Sequence, residues 1–146
     1  NLNLDLSKFY NKFQDDEILG PVIEKWKGTR PGHQGSLYEY LIIGIVLQNA
    51  RIKRSVNMLQ KMFKNYGNLL EYDNKKLWCF WTPGSLEKVS EEELRERKIG
   101  YRAKSIKKVD QHFNQKKINE FELRKKDFET QKKKLLDIYG VGPATA

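Results

Sequence analysis

The chain has 146 residues, room for one domain or most of one. Its 28 lysines and arginines against 19 aspartates and glutamates leave a net charge of +9, which favours a polyanionic partner, nucleic acid being the commonest, over a merely solvated basic surface. One cysteine, Cys79, excludes an intrachain disulfide and any four-cysteine metal site within these residues. The longest apolar run, Leu41 to Leu47, is too short to span a bilayer. The opening stretch NLNLDLSKFY has no basic start followed by a long apolar core, so it does not read as a signal peptide. An intracellular protein with no membrane partner is the expectation.

Apolar residues mostly recur at spacings of three and four, which favours helices. DLSKFYNKF and DEILGPVIEKW read as two short amphipathic segments, the second interrupted at Gly20-Pro21. GTRPGHQG, residues 28–35, reads as a loop. Ser36 and Glu39 form a capping box ahead of YLIIGIVL, and a segment apolar on nearly every side is a buried, central helix. IKRSVNMLQKMFKNYG continues helically, with Val56, Leu59, Met62 and Phe63 on one face and Gly67 closing it. YDNKKLWCFWTPGS is less regular; Trp78, Phe80 and Trp81 are expected at the core edge, with Cys79 packed between its aromatic neighbours. Ser90 and Glu93 form a second capping box. In YRAKSIKKVDQHF, Ala103, Ile106, Val109 and Phe113 face inward and Lys104, Lys107, Lys108 and Gln111 outward. FETQKKKLLDIYG is the last helix before the closing turn. No run alternates convincingly with period two, so the fold class is all-α.

The end of the chain, LLDIYGVGPATA, runs from a helix into Gly140-Val141-Gly142 and then to Pro143. Glycines let a ligand approach the backbone, and proline suits the first position of a following helix. The N–H groups and positive dipole end of such a helix make a phosphate seat. A helix-hairpin-helix that grips the DNA backbone without reading sequence fits this pattern. An ordinary αα-corner with a glycine cap fits it equally well. His33 and His112 have no Cys or His partner at metal-ligand spacing.

Three blocks, in this order, resemble the helix-hairpin-helix (HhH-GPD) DNA glycosylase superfamily, in particular its 8-oxoguanine and alkylpurine branches. They are LYEYLIIGIVLQNARIKRSVNML, ELRERKIGYRAKSI and LLDIYGVGPATA, and the likeness runs roughly from Ser7 to Ala146. It implies a helical glycosylase domain over residues 1–146, incomplete at its end. Residues 36–127 would form its central helical region, and 128–146 the first helix and hairpin of the helix-hairpin-helix. It implies that Asn49, with Gln48 able to share the task, fills the space left by an extracted base. Arg54 would meet the orphaned partner base. Tyr101 would be the wedge on the opposite strand. Arg102 and Lys104 would lie near phosphates, and the N–H groups around Gly140, Gly142 and Thr145 would hold one. Carbonyls of Leu136, Ile138 and Val141 would be the donors for a possible monovalent cation; no other cofactor is implied.

The resemblance breaks in two places. Bifunctional members carry a lysine nucleophile where this chain has Ala144, and an alanine cannot form a Schiff base. The superfamily's carboxylate, which stabilises an oxocarbenium-like sugar, follows the second hairpin helix, and Asp110, Glu129 and Asp137 do not match its position. The catalytic residue is therefore expected beyond Ala146, supplied by a further C-terminal segment or a second chain. The leading expectation is a monofunctional base-excision repair enzyme that flips a damaged purine, oxidised guanine or alkylpurine, from double-stranded DNA and hydrolyses its glycosidic bond. The alternative is a non-catalytic duplex-binding fragment or subunit, and a weaker third is a basic helical scaffold for a protein or RNA.

Overall fold

The computed structural model describes residues 5–29 and 35–146. His33, and most of the expected loop over 28–35, lie outside the described residues. The chain falls into two compact units, Asn1–Gln34 and Gly35–Ala146.

The first unit holds α1 (Ser7–Phe13) and α2 (Leu19–Trp26). Gly20-Pro21 does not interrupt the second segment, as expected from the sequence, but lies in the first turn of α2. Proline is tolerated there because its missing N–H would have no partner within the helix. Asp16 accepts the Ile18 and Leu19 N–H groups at 2.9 and 2.8 Å, which starts the helix ahead of the proline.

In the second unit α3 (Leu37–Leu47) is the central helix. Leu41, Ile42, Ile45 and Val46 are essentially unexposed. Ser36 caps it by accepting the Glu39 N–H, and Glu120 of α7 (Glu120–Arg124) accepts the Leu37 N–H at 2.8 Å. Carboxylates at Glu39 and Glu120 both suit the positive end of the helix dipole. Around α3 pack α4 (Ile52–Tyr66) and α6 (Arg102–Asn114), with α5 (Glu91–Glu96) against α6. The second capping box also forms: Ser90 accepts the Glu93 N–H at 3.0 Å. Helix α8 (Phe128–Leu136), capped by Asp127, leads into the glycine loop.

The inward face of α6 is as the periodicity indicates, with Ala103, Ile106 and Val109 fully buried. On α4 the expected face is rotated. Ser55, Met58 and Met62 are buried, whereas Val56 is 43% exposed. The Ser55 hydroxyl donates to the Val46 carbonyl at 3.4 Å, and this brings a polar residue onto the buried side.

Among the described residues the helical fold carries one β-hairpin, β1 (Asn68–Tyr72) paired antiparallel with β2 (Lys75–Cys79). Asp73 and Asn74 both take positive φ, 49° and 57°, the primed turn that matches strand twist. No alternation announced it, because every residue of both strands is exposed and neither face is buried. Cys79 is exposed rather than packed in the core; of its aromatic neighbours, Trp81 is the one fully buried.

A polar chain crosses the core. Trp81 Nε1–H donates to the Tyr38 hydroxyl at 2.7 Å, which donates to Asp110 Oδ1 at 2.6 Å. The same oxygen accepts the Gly84 N–H at 3.0 Å. Burial first, then Asp110, pushes the Tyr38 phenol far above its ordinary value of 10.0. Folding therefore disfavours the phenolate. Stability from this group is complete below pH 10, and is lost as pH rises beyond it. A Tyr38→Phe variant should show a shallower loss of urea stability between about pH 10 and 11 than the parent; equal slopes would refute the assignment.

Candidate functional site

Three loops meet in the larger unit: the α3–α4 turn, the start of α6, and the segment after α8. Gln48 joins them. Its Nε2 donates to the Gly140 carbonyl at 2.8 Å and to Thr145 Oγ1 at 3.3 Å. Its own carbonyl accepts from the Arg102 guanidinium. Each such bond contributes about 1 kcal/mol net, and together they tie the loops into one surface. Gln48 is thereby engaged inward and is not free to share a space-filling role with Asn49.

Asn49 follows with φ of 46°, a left-handed turn position that asparagine tolerates better than most residues. It is exposed, and its Nδ2 lies 3.4 Å from the Tyr101 hydroxyl. Tyr101 is the residue before α6 and is 56% exposed. Behind it the Arg102 guanidinium carbon sits 4.6 Å from the ring centroid. The stack stiffens an aromatic ring that otherwise projects outward.

Arg102 itself is 1% exposed. The expected phosphate contact does not fit this position: the side chain turns into the protein, where the Gln48 carbonyl and the Tyr101 ring hold it. The sequence pattern misleads because an arginine at a helix start ordinarily stays in solvent, whereas this one braces two loops. Lys104 is exposed, with its ammonium 4.9 Å over the ring of Tyr139. Tyr139, 53% exposed beside the glycine loop, went unnoticed in the sequence.

The loop after α8 depends on two close approaches. Gly140 has φ of 87°, and a Cβ there would lie 2.2 Å from Ser105 Oγ. Gly44, in the middle of α3, leaves room for the Thr145 methyl, which would lie 2.5 Å from an added Cβ. An isolated glycine inside an apolar helix was the readable signal for that contact. The Gly142 carbonyl accepts the Thr145 N–H at 2.8 Å and the Ala146 N–H at 3.0 Å, a single helical turn starting at Pro143. The Thr145 N–H is thus engaged within the turn and unavailable as a phosphate donor. Those of Gly140 and Gly142 take no partner among the described residues.

The Ile138 carbonyl accepts the Val141 N–H at 3.0 Å, and a carbonyl oxygen retains a second lone pair. Among the described residues no group of three His, Cys, Asp or Glu side chains is placed to hold a metal. Of the carboxylates near these elements, Asp110 is committed to Tyr38 and Gly84, and Asp137 faces solvent. Arg54, in the first turn of α4, lines an open groove with Lys98 and Gly100, beside the Asn49–Tyr101 pair in sequence.

No family model matches the chain. Over 147 residues it is 24% identical to a DNA-3-methyladenine glycosylase of Bacillus subtilis (strain 168), covering all of this chain and 48% of that protein. The chain thus spans about half the length of the curated relative it matches. Among solved structures, MBOgg1 in complex with a low-affinity DNA ligand superposes with a TM-score of 0.83 at 27% identity, over 97% of this chain and 49% of that one. The 8-oxoguanine glycosylase/lyase of Clostridium acetobutylicum, solved with double-stranded DNA containing cytosine opposite 8-oxoguanine, superposes with a TM-score of 0.80 at 24% identity. It is matched by 98% of this chain over 49% of its own length.

Proposed function

We propose that the chain, which is similar to helix-hairpin-helix DNA glycosylases over about half their length, is one of that superfamily and forms the duplex-gripping part of a base-excision glycosylase that removes a damaged purine. The observation that carries the reading is the Gln48 bridge. It holds an exposed asparagine, an exposed tyrosine and a glycine loop with free N–H groups on one connected surface.

An enzyme that extracts a base must fill the hole, hold the stack apart and anchor the backbone. Asn49, carrying both donors and acceptors, fills the vacated space. Arg54 offers its guanidinium fork to the orphaned base. Tyr101, backed by Arg102, is the wedge. Gly140 and Gly142 present their N–H groups to a phosphate at the start of the turn at Pro143, and Lys104 adds charge beside it. A monovalent cation held by the carbonyls of Leu136, Ile138 and Val141 would add a further positive charge there.

Ala144 supplies no amine, so the reaction is hydrolysis rather than Schiff-base lyase chemistry. Residues 1–146 by themselves are expected to bind lesion duplexes and to release no base.

The test compares binding to an intact duplex with binding to one bearing a tetrahydrofuran abasic analogue. The protein should prefer the analogue, and affinity should fall steeply with salt. Tyr101→Ala should lose about tenfold of that preference, in line with the ~1–3 kcal/mol of one base–aromatic stack, while keeping salt-sensitive backbone binding. Unchanged discrimination would remove Tyr101 from the wedge role. Equal affinity for every nucleic acid would remove the glycosylase reading itself.

A further inference from the structure

Beside the proposed lesion-side surface runs a second basic feature. An open groove of about 600 Å³ lies between α4 and the α5–α6 turn. Arg54, Asn57, Lys61 and Lys64 line one wall, and Arg95 and Lys98 belong to the other; none of the lining residues is a carboxylate. The α4 residues stand at i, i+3, i+7 and i+10, one continuous stripe on a helix. Ten residues of helix rise about 15 Å.

Two features of this groove disfavour the folded chain by themselves. Lys61 and Lys64 place like charges one turn apart, which mildly destabilises a helix. Lys98 holds φ of 69°. It occupies the left-handed position that closes α5, with its N–H bonded to the Arg95 carbonyl at 2.9 Å and the Ile99 N–H to the Leu94 carbonyl at 3.3 Å. Glycine is the residue that such a closing position favours. A lysine there adds a cation to the groove wall at the expense of backbone comfort. Arg95 is paired with Glu91 at 3.7 Å, so among the described residues the positive charge without a carboxylate partner comes from Arg54, Lys61, Lys64 and Lys98.

We infer that this groove binds the phosphodiester backbone of the strand opposite the lesion. The inference rests on the reading of Arg54 as the contact to the orphaned base. From Arg54 the stripe leads away along α4, and a strand leaving that base would follow it. Successive phosphates of one strand advance about 3.4 Å along a duplex axis, so a 15 Å stripe offers charge to several of them. The open, elongated shape suits a polymer backbone better than a single enclosed phosphate.

The test measures binding to the abasic-analogue duplex across a salt series. Three consecutive phosphates are replaced by neutral methylphosphonates in one strand or the other. Neutralising the opposite strand should weaken the parent protein about tenfold or more. It should weaken Lys61→Gln/Lys64→Gln clearly less than the parent, because only Arg54 and Lys98 remain to meet that strand, and that variant's slope of log K against log salt should be shallower by about 2. Lys98→Gly should melt at the same or a higher temperature, yet lose about 1 from the slope. Better folding with poorer binding is a combination that a purely structural lysine would not give. If only lesion-strand neutralisation matters, or if the variants keep the parental slope, the groove assignment falls and the glycosylase reading stands. If neither strand's neutralisation matters and no preference for the abasic duplex exists, both fall.

Discussion

Gly140→Ala should destabilise the protein by about 2–5 kcal/mol, a sum of two separate penalties. The first is conformational. Gly140 holds φ of 87°, and an L-residue there costs about 1–2 kcal/mol. The second is steric. The new Cβ would lie 2.2 Å from Ser105 Oγ and 2.4 Å from Ser105 Cβ, and overpacking of this kind costs about 1–3 kcal/mol. The neighbour is a short side chain on the buried side of α6, so it cannot swing away as a long flexible one would. Relief would come by moving the loop, which breaks the bond from Gln48 to the Gly140 carbonyl. Urea unfolding measures the loss, and duplex binding should fall with it. Ser105→Gly in the same chain removes the steric part and leaves the conformational part. The double variant should therefore recover much of the stability lost by Gly140→Ala. Purely additive losses in the two variants would show that the contact is not the cause.

Asp110→Ala is the second large effect, expected at about 2–6 kcal/mol. Its carboxylate is 2% exposed and accepts from both the Tyr38 hydroxyl and the Gly84 N–H. Truncation strands two donors, each costing about 1–3 kcal/mol when left buried without a partner. The network joins α3 through Tyr38, α6 through Asp110 and the connecting segment through Trp81 and Gly84, so the loss should appear as global rather than local unfolding. Tyr38→Phe should cost clearly less in the Asp110→Ala background than in the parent, because only the Trp81 N–H then remains to be stranded. A coupling of at least about 1 kcal/mol is expected for residues sharing one buried network. Independent losses would mean that the geometry exaggerates the connection. Acidic residues on basic proteins invite a functional role, and Asp110 is a useful counter-example. Its two partners account for it fully as a structural acceptor.

From the sequence alone follow the helical class, the central helix, both capping boxes, the inward face of α6 and the glycine loop after α8. The reason is physical: helix periodicity, caps and glycine turns are local, encoded within a few residues of where they act. The resemblance carried by QNARIKR, GYRAK and YGVGPATA likewise lives in short segments. The β-hairpin escaped because neither of its faces is buried, so no alternation was imposed on LLEY or KKLW. The rotated face of α4 escaped because its inward choice is made by Ser55 bonding across to Val46, ninth residue before it. Only the tertiary structure decided which of the candidate site residues face outward. Gln48 and Arg102 look as exposed in the sequence as Asn49 and Tyr101. Yet the first pair bond to each other and, through Gln48, to the glycine loop more than ninety positions away, whereas the second pair remain on the surface. Whether a polar side chain braces a fold or meets a ligand depends on partners distant in the chain, and local pattern does not specify those partners.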